Sequence, residues 1–137
     1  MGTVYAEITL KNSGDIIKAR DGIIPEKEVR RTFVRALVDT GAGTLVINEA
    51  VRRQLGLEIR GLRSAELADG AKQICRVTEP VEIQWKDRDT TCRALVLPDA
   101  GDVLLGAIPL EDMDLIIDPA RRELTGAHGD EVVCLVK

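Results

Sequence analysis

A carboxylate lies between two apolar segments that each have the character of a buried strand. Ala36-Leu37-Val38 leads directly into Asp39-Thr40-Gly41, and a second apolar segment, Thr44 to Ile47, follows after a turn of small residues. An ionised carboxylate next to a core is costly unless it is hydrogen-bonded or shares a proton with a partner. Gly41 permits a tight turn and Thr40 offers a hydroxyl. We therefore expect a strand-turn-strand that holds Asp39 where it can act as a general acid or base.

The composition indicates one small domain with an aliphatic core. The chain has 137 residues, of which 45% are hydrophobic, so we expect one domain over residues 1–137. Only 2% of the residues are aromatic and the net charge is −4, which argues against a nucleic-acid partner. No apolar run approaches the roughly 20 residues of a membrane span. No secretory signal is visible either, so we expect a cytoplasmic protein with no membrane partner.

The cysteines and the histidine do not form a metal-binding pattern. Cys75, Cys92 and Cys134 are widely spaced, and His128 is the single histidine. Structural metal sites favour closely spaced ligands. We therefore expect no metal, and three reduced thiols that are mostly buried.

Short segments of alternating or continuous apolar residues predict a mostly β fold. Asp69-Gly70 between two of these segments is a strong hairpin signal. Residues 11–15 are typical of a turn, 16–28 of a long exposed loop and 99–102 of a second loop. Helices are predicted over residues 49–55 and from Pro109 to about Met113. Strands are predicted at 3–10, 29–38, 44–47, 64–67, 71–77, 81–85, 90–97, 103–106, 115–117 and 131–136, and 121–124 could return as a partner of 115–117.

Three landmarks together resemble the aspartic peptidases of the retropepsin type. They are Asp39-Thr40-Gly41-Ala42, the Ala68-Asp69-Gly70 hairpin tip, and Leu104-Leu105-Gly106 followed by a short helix. The resemblance covers roughly residues 29–118 and is greatest with the small single-domain bacterial members of this clan. It implies an all-β, single-domain retropepsin-like (acid protease) β-barrel with one or two short helices.

The resemblance also implies a role for each landmark. Asp39 would be the catalytic aspartate, Thr40 would join two active-site loops across a two-fold axis, and Gly41 would support the turn and line the cleft beside Ala42. The second landmark would form the flap, and the third would pack against the active-site loop. The flap tip would comprise Ala68, Asp69 and Gly70, and the packing residues would be Leu105 and Gly106.

Two positions depart from the family's pattern. Gly43 stands where retroviral members have an acidic residue and others have Ser, and Ala107 stands where retroviral members have an arginine. In the retroviral members, the acidic residue and the arginine build an ion-pair network near the dimer interface. This chain therefore lacks that network. A dimer of this chain must use other contacts, and the predicted terminal strands Thr3–Leu10 and Glu131–Val136 are the edges that we expect to be available.

The expected chemistry requires two carboxylates that share one proton, and the chain has one Asp-Thr-Gly. A homodimer can supply the second Asp39 by symmetry. The sequence thus indicates an aspartic endopeptidase that cleaves a peptide or protein substrate and needs neither metal nor organic cofactor. The alternative is a catalytically inactive peptide-binding or oligomerisation module on the same fold. Two Asp39 carboxylates within hydrogen-bonding range of one water would favour catalysis, whereas widely separated carboxylates would favour the alternative.

Overall fold

Strands dominate residues 2–98 and 101–136, the parts of the chain that the computed structural model describes. The predicted all-β class is confirmed, although three short helices occur where one or two were expected. The elements are β1 Tyr5–Asn12, α1 Ser13–Arg20, β2 Arg31–Val38, β3 Leu45–Asn48, α2 Glu49–Leu55, β4 Ile59–Glu66, β5 Lys72–Trp85, β6 Arg88–Leu97, β7 Leu104–Leu105, α3 Ala107–Asp112, β8 Leu115–Asp118 and β9 Glu123–Gly126, with a 3₁₀ turn at Glu26–Glu28. Asp99 and Ala100, predicted to lie in a loop, are outside the described residues.

The main sheet closes into a barrel. Its strands lie in the order β1-β2-β7-β3-β6-β5-β4, and β1 pairs with β5 as well as with β2. Inward-facing side chains alternate along the strands and fill the interior with aliphatic residues, as the composition predicted. Fully enclosed members of this core include Leu10, Leu45, Leu55, Ile83 and Leu105.

The strand β7 sits between the two strands that flank Asp39. It pairs in parallel with β2, with Val38 opposite Leu105, and antiparallel with β3, with Val46 opposite Leu104. Parallel strands end at the same edge of a sheet, so the residues after β2 and after β7 lie side by side. This arrangement brings Asp39 next to Gly106, although the two are far apart in sequence.

The strands β4 and β5 form the hairpin that the Asp-Gly signal predicted. Their pairing runs from Ile59 opposite Thr78 to Glu66 opposite Lys72. β5 is long and continues into the barrel, where it pairs with β6, but its register with β6 shifts between Val77 and Pro80. The outer part of the hairpin therefore extends beyond the barrel on a strand that also belongs to the barrel wall.

The helix α1 occupies part of the region predicted as a turn and loop. The Asn12 side chain caps it by accepting a hydrogen bond from Asp15 N at 3.0 Å, and Asn12 Nδ2 donates to Leu55 O at 2.8 Å. Its apolar residues do not form a buried stripe, since Ile17 is 48% exposed. Polar contacts rather than an apolar face hold this helix to the barrel, which is why periodicity did not reveal it.

The predicted strand over residues 131–136 is wrong. Glu131 forms an isolated bridge with His128, and no strand is assigned from 132 to 136. Instead, Val133 N donates a hydrogen bond to Asp114 Oδ2 at 3.0 Å, and Leu135 is 91% exposed. The thiols also differ from expectation, because Cys75 is buried, Cys92 is half-buried and Cys134 is exposed.

An ion pair anchors α1 to the start of β2. Asp15 is buried, and its carboxylate accepts hydrogen bonds from Arg30 Nε at 2.8 Å, Arg30 Nη2 at 2.9 Å and Arg30 N at 3.0 Å. The side-chain hydrogen bonds from Arg30 hold the pKa of Asp15 below its ordinary value, against the opposing effect of burial.

Asp15→Asn should lower the free energy of unfolding at pH 7 by about 2 kcal/mol, because it leaves the Arg30 guanidinium without its anion. A depressed folded-state pKa means that this contribution is complete above the unfolded pKa of ~3.9 and is lost as the pH falls through the folded value. Chemical denaturation should therefore show a difference between variant and wild type at pH 7 that shrinks near pH 3. Asp21→Asn, which alters an exposed pair with Arg20, is the matched control and should have little effect. Equal destabilisation by both variants would contradict the anchoring role of Asp15.

Candidate active site

Main-chain hydrogen bonds define the loop that carries Asp39. Asp39 N donates to Leu105 O at 3.0 Å, and Ala42 N donates to Asp39 O at 3.1 Å, which closes a tight turn. Gly41 N donates to Asp39 Oδ1 at 3.0 Å and so orients the carboxylate. Asp39 is half-buried, and Thr40 and Gly41 are exposed. The carboxylate thus lies at the rim of the core, where solvent and a ligand can reach it.

Gly106 allows the segment after β7 to approach this loop closely. Ala107 N donates to Ala42 O at 2.8 Å, and Ile108 N donates to Gly43 O at 3.0 Å. A Cβ on Gly106 would lie 2.6 Å from Ala42 O and would also collide with Thr44 O. Only glycine fits at 106, and its neighbour Leu105 is fully buried beneath the loop.

The hairpin tip has the tight geometry that its sequence favours. Leu67 N donates to Ala71 O at 2.7 Å, and Gly70 N donates to Leu67 O at 2.9 Å. Asp69 Oδ1 accepts a hydrogen bond from Ala71 N at 2.9 Å. Gly70 has a φ of +85°, a conformation that side chains rarely adopt.

A cavity of about 630 Å³ lies between the active-site loop and the hairpin. Of the residues singled out in the sequence, Asp39, Gly41, Ala42 and Ala68 line it together. Asp69, Gly70, Leu105 and Gly106 are not among its lining residues. Thr40 lines two other cavities instead. Gly43, noted in the sequence as a departure from the family pattern, and Leu104, from the third landmark, also line it. The remaining lining residues, which the sequence did not single out, are Thr44, Val46, Ala65, Glu66, Leu67, Leu95 and Leu97.

The cavity combines an aliphatic wall with two carboxylates. Among the residues that the structure describes, Asp39 and Glu66 are the charged lining residues, and none of the lining residues is basic. Within residues 2–98 and 101–136, no three His, Cys, Asp or Glu side chains lie close enough together to bind a metal ion. The alternation of β6 could have suggested Leu95 and Leu97 as wall residues, because both lie on one face of a strand. The sequence does not show which face of β6 turns toward Asp39, because that depends on how the barrel closes.

A profile described as "gag-polyprotein putative aspartyl protease" matches residues 27–112. This range covers well over half of the chain and contains the active-site loop, the hairpin and the helix after Gly106. The chain belongs to this aspartyl protease family. No curated protein sequence matches this family member closely enough to count as a relative.

A solved structure supports the fold of this aspartyl protease family member. The crystal structure of the retroviral protease-like domain of Ddi1 from Leishmania major is similar to it, with a TM-score of 0.56 and 18% sequence identity. The similarity covers 91% of this chain and 88% of that chain. The retropepsin-like fold predicted from the three landmarks is therefore confirmed.

Gly106→Ala should disturb the active-site loop because the added methyl group would collide with two backbone carbonyl groups. We expect the free energy of unfolding to fall by about 1–3 kcal/mol. Gly43→Ala is the matched control, since a Cβ at position 43 would meet no atom within 4 Å. Chemical denaturation of both variants measures the difference. If Gly106→Ala and Gly43→Ala have the same free energy of unfolding, the backbone at 106 is not packed tightly against the active-site loop.

Proposed function

We propose that the protein is an aspartic endopeptidase in which two Asp39 carboxylates, one from each chain of a homodimer, activate a water. The observation that supports this most directly is the position of Asp39, oriented by Gly41 N–H in a cavity beneath a hairpin. Membership of an aspartyl protease family also supports this proposal. The cytoplasmic location and the lack of a nucleic-acid partner stay predictions from the sequence. Among the described residues, no helix has the length and apolar character needed to cross a bilayer.

The proposed reaction uses the two carboxyl groups in complementary states. The ionised Asp39 takes a proton from water, and the water oxygen forms a bond to the scissile carbonyl carbon. The protonated Asp39 of the partner donates its proton to the carbonyl oxygen, giving a neutral tetrahedral diol. The diol then collapses: one hydroxyl gives its proton to the carboxylate that is now ionised, the carbonyl group re-forms, the carbon–nitrogen bond breaks, and the leaving nitrogen takes the proton of the other carboxyl group. Two close carboxylates hold one proton between them, so the pair starts in the required mixed state.

The cavity wall fits an extended peptide with apolar side chains near the cut. Val46, Leu95, Leu97 and Leu104 offer an aliphatic surface, and Ala65 and Ala68 place the hairpin over it. Main-chain groups of the hairpin can pair with a peptide strand, as in other cases where a peptide adds to a sheet edge. The proposed substrate is therefore a peptide or an unfolded protein segment.

Asp39→Asn should keep the fold, because the amide is nearly isosteric, and should lower peptide turnover at least about a thousandfold, because an amide cannot take a proton from water. The measurement is cleavage of a diverse peptide library, read by mass spectrometry. Asp21→Asn, at an exposed residue that does not line the cavity, controls for the chemical change itself. Cleavage by Asp39→Asn at the wild-type rate would exclude Asp39 as the catalytic group. Wild-type protein that binds peptides but cleaves none would favour the peptide-binding module instead.

If each active site takes one Asp39 from each chain, specific activity should depend on enzyme concentration. Activity per chain should rise with concentration and level off once the dimer dominates. Mixing wild type with excess Asp39→Asn should depress activity, because the mixed dimers carry a single competent carboxylate. An activity titration run beside analytical ultracentrifugation tests both effects. Full activity per chain where only monomer sediments would contradict the shared site.

A further inference from the structure

Three glycines lie in or against the active-site loop, and the packing of the loop explains two of them. A Cβ on Gly106 would lie 2.6 Å from Ala42 O and would also collide with Thr44 O. A Cβ on Gly41 would lie 3.1 Å from Asp39 Oδ1, the oxygen to which Gly41 N donates its hydrogen bond. Side chains at 41 and 106 would therefore disturb the loop itself.

The third glycine, Gly43, is not explained in this way. A Cβ at position 43 would meet no atom within 4 Å, and Gly43 does not have a positive φ. Its carbonyl oxygen accepts a hydrogen bond from Ile108 N at 3.0 Å, a main-chain contact that any residue can make. The folded chain therefore has room for a side chain at 43, and its backbone there does not require glycine.

The free space at Gly43 is continuous with the cavity under the hairpin. Gly43 is one of the residues that line this cavity of about 630 Å³, together with Asp39, Gly41 and Ala42 of the same loop. Gly43 is also exposed, so neighbouring side chains do not cover it. A glycine at this position thus leaves volume beside the active-site loop that a ligand can fill.

The rest of the lining indicates which ligand group suits this volume. Leu95, Leu97 and Leu104 line the cavity and are each half-buried, so part of their apolar surface faces solvent. An apolar side chain of a ligand removes such surface from water, which is favourable. Asp39 and Glu66 are the charged residues in the described lining, and they repel an acidic side chain. The volume therefore suits a large, uncharged, apolar side chain.

A lysine or arginine of the ligand is the rival occupant, because its cation could pair with Glu66. Lys72 is the register partner of Glu66 in the β4–β5 hairpin. Side chains of residues that lie directly opposite each other in an antiparallel pair are neighbours, so the chain itself already places a cation next to this carboxylate. The half-buried leucines have no comparable neighbour to replace water, which favours the apolar occupant.

We propose that Gly43 determines the specificity of the site: its missing side chain leaves room for one large apolar side chain of the bound peptide, such as Leu, Met or Phe, beside the active-site loop. A side chain at 43 would fill the same volume and turn the preference toward small residues. The inference deepens the proposed function and rests on it in one respect, since the bound peptide is the proposed substrate. The test uses binding rather than cleavage, so that specificity and chemistry can fail separately.

The experiment measures peptide selection without hydrolysis. The Asp39→Asn protein, which should keep the fold, is immobilised and used to select from a displayed library of random peptides. The selection is repeated with Gly43→Ala, Gly43→Leu or Gly61→Leu added to Asp39→Asn. Gly61 on β4 is the matched control, because a Cβ there also meets no atom within 4 Å and Gly61 does not line the cavity. Fluorescence anisotropy then gives the dissociation constants of synthetic peptides from each selection.

Asp39→Asn alone should select peptides that share a large apolar residue at one position. For such a peptide, Gly43→Leu should raise the dissociation constant at least about tenfold, since one methylene in an apolar pocket already changes discrimination by roughly 10- to 200-fold. Replacing the large residue of the peptide by alanine should remove most of this penalty. Gly43→Ala should have an intermediate effect, and Gly61→Leu should bind as Asp39→Asn does. Melting temperature and sedimentation should be the same for all of these proteins.

Weaker binding of every peptide by Gly43→Leu, whatever the side chains of the peptide, overturns the specificity role. Selection of Lys or Arg in place of an apolar residue overturns the apolar assignment and favours pairing with Glu66. A lower melting temperature or altered sedimentation of Gly43→Leu relative to Gly61→Leu overturns the claim that the fold leaves this volume free. A protein that selects no peptide overturns the inference together with the binding step of the proposed function. The expected selection, combined with no cleavage by the wild type, supports the inference and contradicts only the proposed chemistry.

Discussion

The parallel pairing of β2 with β7, together with the backbone contacts just beyond it, is the constraint on which the rest of the site depends. Asp39 N bonds to Leu105 O, and Ala107 N and Ile108 N bond to Ala42 O and Gly43 O. All of these are main-chain contacts, so the path of the loop depends on backbone geometry more than on side chains. The hydrogen bonds at Gly43 and Ala107 involve backbone atoms alone, whereas position 106 admits only glycine.

One buried arginine of the barrel holds the β8–β9 sheet in place. Arg88, at the start of β6, is 6% exposed, and its guanidinium donates to Met113 O at 2.9 Å and to Asp114 O at 2.8 Å. It also bonds to Gly129 O, beyond β9. One side chain of the barrel therefore binds carbonyl groups just before β8 and just after β9, at the same end of the antiparallel pair. The small sheet gains from the barrel the stability that two strands alone lack.

The sequence predicted those parts of the fold that follow from local pattern. Alternating residues and an Asp-Gly turn gave the hairpin, and the apolar segments around Asp39 gave the strand-turn-strand. The helix α1 was missed because its stability comes from Asn12 and from the pairing of Asp15 with a distant arginine. The segment at 131–136 was misread because its apolar residues have the composition of a strand, while its backbone bonds to the Asp114 side chain. The cavity wall on β6 could not be assigned without knowing how the barrel closes.

The register shift in β5 has a mechanical consequence for the hairpin. Pro80 has no N–H to contribute to the ladder, so the pairing with β6 is interrupted between Val77 and Pro80. Within this break, the buried Thr78 hydroxyl accepts a hydrogen bond from Ala94 N at 3.1 Å and donates one to Glu79 O at 2.7 Å. Thr78 therefore joins β5 to β6 across the break. Since β5 pairs with β6 again at Arg76 and Val77, only the strands beyond Arg76, which pair with each other alone, are free to swing over the cavity.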